Sequence, residues 1–292
     1  MTKNHLGSIY LATAATIWGG MYVVSKVVLT VIQPLELVWL RYVVALITLV
    51  SVGVITRQSW HIHRQDLPHI LAIGVIGYDI SIWTQFVGTK LSSAQMGAMI
   101  TSATPALMVI FARLILKEQI TFRKGLSTGI AMIGVFCIIG VGNLGEANQL
   151  GGIVLGIAAL SWALMSVLIK RIPSGYSQLV VTTYAILVAT VFITPAAFSQ
   201  IDQAQIDALS QPAIWAGVLY LGIVATATAF FLWNKGLQMV DAASGGLYFF
   251  FQPIAGTLLA WFFLGEHVGI TFWIGALLIL SGVFMVIKDP KP

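Results

Sequence analysis

Asp79 lies in the middle of an otherwise apolar stretch, ILAIGVIGYDISIWTQFVG at 70–88, and is the residue in this chain most suited to chemistry. At mid-bilayer depth an ionised carboxylate costs at least ~2.5 kcal/mol to insert, so such acids face cavities, partners or proton paths. Two roles fit: exchange of a proton, and pairing with a cationic group on a bound molecule. Helical spacings of four and seven place Trp83 and Phe86 on its face, with Tyr78 adjacent, and an aromatic wall beside an acid suits an ammonium group. Trp18 and Tyr22 in the first apolar stretch, and Tyr248, Phe249, Phe251 and Gln252 just before Pro253, can complete an apolar chamber with few polar anchors. The expected binding set is Trp18, Tyr22, Tyr78, Asp79, Trp83, Tyr248, Phe249 and Gln252, with Asp79 as the proton-coupling group. A plainer reading stands beside it: aromatic side chains in membrane helices also face lipid or pack against neighbours.

Other residues invite mechanical roles. Pro105 and Pro253 fall inside apolar stretches, where proline removes a backbone hydrogen bond and can kink a helix, so both are hinge candidates. Arg41 follows Glu36 into the second stretch, from where it can still snorkel to the outer interface. Glu118 and Glu266 stand at the ends of stretches, before the N-termini of the following helices, where negative charge is favoured. Lys26 and Lys170 read as interface anchors, and Gly125, Gly129, Gly134, Gly275 and Gly282 as close-packing positions. No metal site is expected: Cys137 is the single cysteine, and His61 and His63 sit in a basic loop without a carboxylate cluster.

The elements that must position these residues are ten apolar stretches, at 6–28, 35–55, 68–88, 92–114, 123–142, 151–170, 177–197, 212–234, 241–263 and 270–287. Each approaches the ~20 helical residues that cross a ~30 Å hydrocarbon core. Hydrophobic residues are 58% of the 292 and charged residues only 9%, which leaves no room for a soluble catalytic domain. The first stretch exceeds the usual length of a signal peptide's apolar region and has a counterpart mid-chain, so it reads as a structural span. The net charge of +5 is not a nucleic-acid stripe. It reflects loops: with the N-terminus inside, Lys3, Arg57, Arg64, Arg113, Lys117, Arg123, Lys124, Lys170, Arg171, Lys235, Lys288 and Lys291 fall inside and only Lys26 and Lys90 outside. Both termini are therefore expected to be cytoplasmic.

The second half repeats the first. A shift of 144 superposes Gly7 on Gly151, Leu11 on Leu155, Trp18 on Trp162, Met21 on Met165 and Lys26 on Lys170. A shift of 148 superposes Gly74 on Gly222, Gly88 on Gly236, Ala94 on Ala242, Pro105 on Pro253, Glu118 on Glu266 and Gly134 on Gly282. The second stretch matches least well, with Tyr42 set against Tyr184 and Arg41 against Thr183. Five crossings per unit is an odd number, so the second unit must be inverted relative to the first, and a site between inverted units can face either side in turn. The expected fold is all-α integral membrane: ten transmembrane helices in one compact domain, as inverted five-helix repeats at 1–147 and 148–292.

IWGGMYVVSK at 17–26, ELVWLRY at 36–42, ATPALMVIFARLILKEQ at 103–119 and FQPIAGTLLAWFFLGEH at 251–267 together resemble the drug/metabolite transporter superfamily, in its EamA-type branch. The resemblance covers nearly the whole chain. It implies a ten-helix carrier of amino acids, other metabolites or drugs in a bacterial inner membrane, and an internal role for Arg41. No G-x-x-x-x-G-K-[ST] loop occurs, so a secondary carrier without cofactors is expected, moving a small molecule through the bilayer with proton coupling as one option. Export of amino acids or related amphipathic metabolites is the leading reading. A lipophilic-cation efflux carrier and a non-transporting scaffold are the alternatives, while an intramembrane enzyme lacks converging polar groups. Cargo, direction and oligomeric state are not legible.

Overall fold

A computed structural model describes residues 3–91, 100–139, 149–199, 209–264 and 269–287. Among these residues there is no strand; the chain is a series of helical rods. They are α1 (Lys3–Val28), α2 (Pro34–Ile55), α3 (Leu67–Ala72, Ile73–Ser81 and Ile82–Leu91), α4 (Thr104–Ile115) and α5 (Phe122–Ile139), then α6 (Gln149–Leu168), α7 (Gln178–Phe198), α8 (Pro212–Leu219, Tyr220–Thr228 and Ala229–Leu237), α9 (Ala242–Gly246, Leu247–Phe250 and Phe251–Leu264) and α10 (Ile270–Ile287). Among the described residues six stretches are long and apolar enough to cross a membrane, and Thr104–Ile115 and Ile270–Met285 are apolar but shorter. Ile47, Leu114, Val191, Phe262 and Leu277 are each more than half exposed. So much bare apolar surface suits a lipid solvent rather than water.

The packing is two-fold. α1 lies against α8 and α9, and its repeat mate α6 lies against α3 and α4. Equivalent helices meet directly in the pairs α2 with α7 and α5 with α10. In α5 and α10, a Cβ on Gly134 would sit 2.6 Å from the Gly275 carbonyl oxygen, and one on Gly282 would sit 2.8 Å from that of Ser127. Rising numbers in α5 meet falling numbers in α10, so equivalent helices run antiparallel, as inverted repeats require. Gly125 and Gly129 face open space and do not share this contact.

The register of the second helix differs from the expected one. Gly74 packs on Val188 and the Ala185 carbonyl, while Gly222 packs on Val44 and the Arg41 carbonyl. Arg41 is thus equivalent to Ala185, not Thr183, and the 144 shift continues through α2 and α7. Arginine and alanine share so little side-chain character that sequence similarity hid the correspondence.

Both halves carry one feature that periodicity does not reveal: Ile73–Ser81 in α3 and Tyr220–Thr228 in α8 are π-helical. The wide turn advances the helix face by about one residue relative to an α-helix. Everything after it points elsewhere than α spacing suggests.

Candidate functional site

At the centre, where the halves meet, a narrow chamber of about 30 Å³ is lined by Trp18, Met21, Arg41, Ser81, Ile82, Gln85, Thr101, Thr104, Ala158, Ala159, Trp162, Phe230, Phe249 and Gln252. Both repeats contribute. Trp18 anchors the wall, with Trp162, Trp233, Phe230 and Phe249 packed around it at centroid separations of 5.2 to 5.9 Å. Its indole N–H donates to the Ala225 carbonyl at 2.9 Å, within the π-helical part of α8. The equivalent Trp162 makes no such bond: its buried Nε1 has no partner.

Arg41 is the single charged residue among those lining the chamber, and it is fully buried. Its Nε donates to Thr226 Oγ1 at 2.7 Å and its Nη1 to Met21 Sδ at 3.5 Å. The π turn prepares that acceptor, because the Thr226 hydroxyl donates in turn to the carbonyl five residues back, on Leu221, at 2.6 Å. The guanidinium also lies about 6 Å from the rings of Tyr42, Phe86 and Phe230. No carboxylate pairs with it among the described residues, and its Nη2 has no hydrogen-bond partner. Thr104 Oγ1 and Gln252 Oε1, also on the chamber wall, are likewise buried without partners. A folded protein rarely leaves such groups unmet, since each forfeits its hydration for nothing in return. Four such atoms belong to residues that line one cavity.

Between the chamber and the face where α1 begins lie three layers of contacts, some joining the halves and others, those of Trp233 with Ser166 and of Lys170 with Leu237 and Val240, within the second half. Tyr78 stacks on Phe230 at 4.6 Å and accepts from Asn234 Nδ2 at 2.7 Å, while Trp233 Nε1 donates to Ser166 Oγ at 3.2 Å. Beyond them Val109, Ala112, Val167, Ala242 and Ala243 form an apolar seal of α4, α6 and α9. At the surface is a polar latch. Lys117 takes a left-handed turn, φ 58°, after α4, and the Glu118 carboxylate accepts from the Ala242 and Ala243 amides at 3.0 and 3.2 Å. Lys124 of α5 pairs with Asp241 at 2.8 Å. Lys170 Nζ donates to the Leu237 and Val240 carbonyls at 3.1 and 2.6 Å. Burial would raise the Asp241 carboxyl pKa, but the Lys124 ammonium and Ser244 outweigh it and hold it below the ordinary range.

The expected residues are distributed as follows. Trp18, Phe249 and Gln252 line the chamber. Tyr78 lies one layer behind, and Tyr248 is buried with its hydroxyl donating to Ser8 at 2.6 Å and its ring stacked on Phe251. Asp79 is half-buried and absent from the chamber wall; Trp83, four residues on, is 45% exposed. The π turn explains the difference: it brings Ser81, Ile82 and Gln85 inward in place of the expected acid-and-tryptophan face. The Tyr22 and Lys26 side chains and Glu266 lie outside the described residues. Pro105 and Pro253 are not mid-helix kinks. Each stands in the first turn of a helical segment, after a turn at 102–103 and after the tight Leu247–Phe250 segment, so the helix breaks lie just before the prolines. Glu118 caps α9 across the repeat interface rather than its own following helix, and Lys170 holds backbone carbonyls. Among the site residues that spacing did not pick out are Thr104 and Trp162, for which the repeat offered the signal, since Trp162 matches Trp18 and Thr104 matches Gln252 under the two shifts.

The EamA-like transporter family model matches residues 5–140 and again 149–288. In Bacillus subtilis (strain 168), the uncharacterized transporter YyaM is 27% identical over 236 residues, covering 78% of this chain and 76% of its own. YetK, another uncharacterized transporter of that organism, is 26% identical over 301 residues, covering 100% of this chain and 90% of its own. A crystal structure of another protein superposes with a TM-score of 0.79 at 18% identity, covering 96% of this chain and 95% of that one, which speaks for the fold.

Proposed function

Because this chain belongs to the EamA-like transporter family, we propose that it is a secondary transporter that exports amino acids or related small amphipathic metabolites across a bacterial inner membrane by alternating access, through ten crossings with both termini cytoplasmic. The observation that carries the reading is the chamber itself: it is built by both halves, lined with aromatic rings and unpartnered polar groups, and cut off from one face by contacts that join the halves. A solute's apolar body would lie against Trp18, Trp162 and Phe249 while its polar end meets Arg41, Thr104 and Gln252. Lysine and arginine crowd the latched face, which makes it the cytoplasmic one. The state described is then closed towards the cytoplasm.

The mechanism follows from inversion. Releasing Glu118, Lys124 and Lys170 from the 237–243 connection would part α4, α5 and α6 from α9, opening the chamber inwards. The helix breaks before Pro105 and Pro253 sit at matched places in the two moving helices and supply the hinges. Driving force would come from a gradient, with Asp79 as the proton-coupling group; it would act from beside the chamber rather than by touching the solute.

The second reading, efflux of lipophilic cations, has the aromatic wall in its favour and the Arg41 guanidinium against it. A scaffold has no use for a buried, partly unpaired guanidinium. The test is reconstitution in liposomes loaded with labelled amino acids and cationic dyes. Saturable release of amphipathic solutes, lost when the chamber is filled by Ala159→Trp, is the expected result; release of no solute would refute transport.

A further inference from the structure

We propose that the chamber selects its solute by net charge, holding a small aromatic or branched-chain monocarboxylate more tightly than the zwitterion or the amine of the same shape. The proposal rests on the transport reading only in taking the chamber as the solute site. It begins with Arg41, whose positive charge is buried among rings, with no carboxylate on the chamber wall and Nη2 unmet. A buried charge without a partner is among the costliest arrangements a protein can hold, and an entering anion relieves it.

The remaining unmet groups agree. Trp162 Nε1 is a donor only, and the Thr104 hydroxyl can donate, so with Nη2 three unmet donors belong to residues that line the cavity. The unmet acceptors are Gln252 Oε1, which rotation of the amide would turn into a further donor, and the Thr104 hydroxyl, which can take either part. A carboxylate has lone pairs for several of these donors at once. An ammonium group carries three donors, would meet only Gln252 Oε1 and the Thr104 hydroxyl among these unmet acceptors, and would lie beside the fixed positive charge of Arg41. A zwitterion therefore loses on the ammonium much of what its carboxylate gains, and it leaves the positive charge of the site uncancelled. An amine meets like charge. Trp18, Trp162, Phe230 and Phe249 would meet the apolar body in all three cases once the narrow chamber widens to admit it, so head-group charge is what discriminates.

The test uses three probes with one phenyl body: 3-phenylpropionate, phenylalanine and phenethylamine, titrated calorimetrically into the purified full-length protein. The expected Kd order is propionate, then phenylalanine at least about tenfold weaker, then phenethylamine weaker still. Phenylalanine or phenethylamine binding as tightly as the acid, or no binding of the acid, would overturn the proposal. Arg41 also holds Thr226, so its replacement can disturb folding; Gln252→Glu avoids that by adding a negative charge to the wall. Gln252→Glu should weaken 3-phenylpropionate by about tenfold or more and strengthen phenethylamine, with a thermal transition that is not lowered. An unaltered order in that variant would refute the charge argument. Flux of the same probes from liposomes tests transport separately: binding with this order but without flux would sink the transport reading and leave the charge preference standing.

Discussion

Glu118→Gln tests the latch with little change of shape. The carboxylate offers one oxygen to each of two main-chain amides, those of Ala242 and Ala243. A glutamine keeps one acceptor and turns an NH2 group towards the other donor. A hydrogen bond to a charged group contributes about 1.5–3 kcal/mol, and this one is partly exposed, so the lower end applies. At about 1.4 kcal/mol per factor of ten, loss of one bond shifts the balance between closed and open cytoplasmic faces roughly tenfold towards open, provided the contact exists only in the closed state. The reporter is Ala112→Cys, fully buried in the apolar seal, in a background where the native Cys137 is alanine. In inside-out vesicles a membrane-impermeant thiol reagent should modify it about ten times faster in Glu118→Gln than in the parent. If Glu118 serves only to stabilise the fold, the variant will melt earlier yet react at the parental rate, and that result would refute the latch.

Three further outcomes follow from particular contacts. Gly134→Ala sets a methyl group 2.6 Å from the Gly275 carbonyl oxygen and should destabilise by about 1–3 kcal/mol in detergent melts, whereas Gly129→Ala, which meets open space, should leave the melt unchanged. Because the Asp241 carboxyl is held below its ordinary range, its ion pair with Lys124 favours the latched state above about pH 4 and gives that up only as pH falls through the lowered value. Modification of Ala112→Cys, normalised to an exposed cysteine, should therefore stay flat from about pH 8 to about pH 5; a rise within that window would show that the latch is not this ion pair. Asp79→Asn, off the chamber wall, should leave probe Kd values within about twofold while abolishing the dependence of flux on a pH gradient. Flux that still follows the gradient in Asp79→Asn would exclude that carboxyl from coupling.

How much of this was legible in the sequence depends on what each residue answers to. The halves were, because Gly88 and Gly236, and likewise Gly134 and Gly282, meet neighbours that the repeat reproduces, and such constraints keep residue types in register. The chamber was legible in part: Trp18, Phe249 and Gln252 sit on regular helical faces and fall where spacing puts them. Asp79 and Trp83 do not, since the π-helical turn at Ile73–Ser81 has no side-chain pattern of its own and rotates the face beyond it. Arg41 was ambiguous because a long cation near a helix end can snorkel or stay inside, and only the pocket formed by Thr226, Met21 and the surrounding rings decides between them. Glu118 was read as local because a contact to Ala242 and Ala243, 124 and 125 residues away, leaves no trace in spacing.

The central claim, that one chamber is exposed to each side in turn, is tested most directly by Ala159→Cys, a buried position on the chamber wall, again without Cys137. Its modification is followed from both membrane faces in the parent and in Glu118→Gln. The account predicts a reciprocal change: access from the cytoplasmic face rises in the variant while access from the opposite face falls. Access that rises from both faces together would describe a pore, and would contradict it.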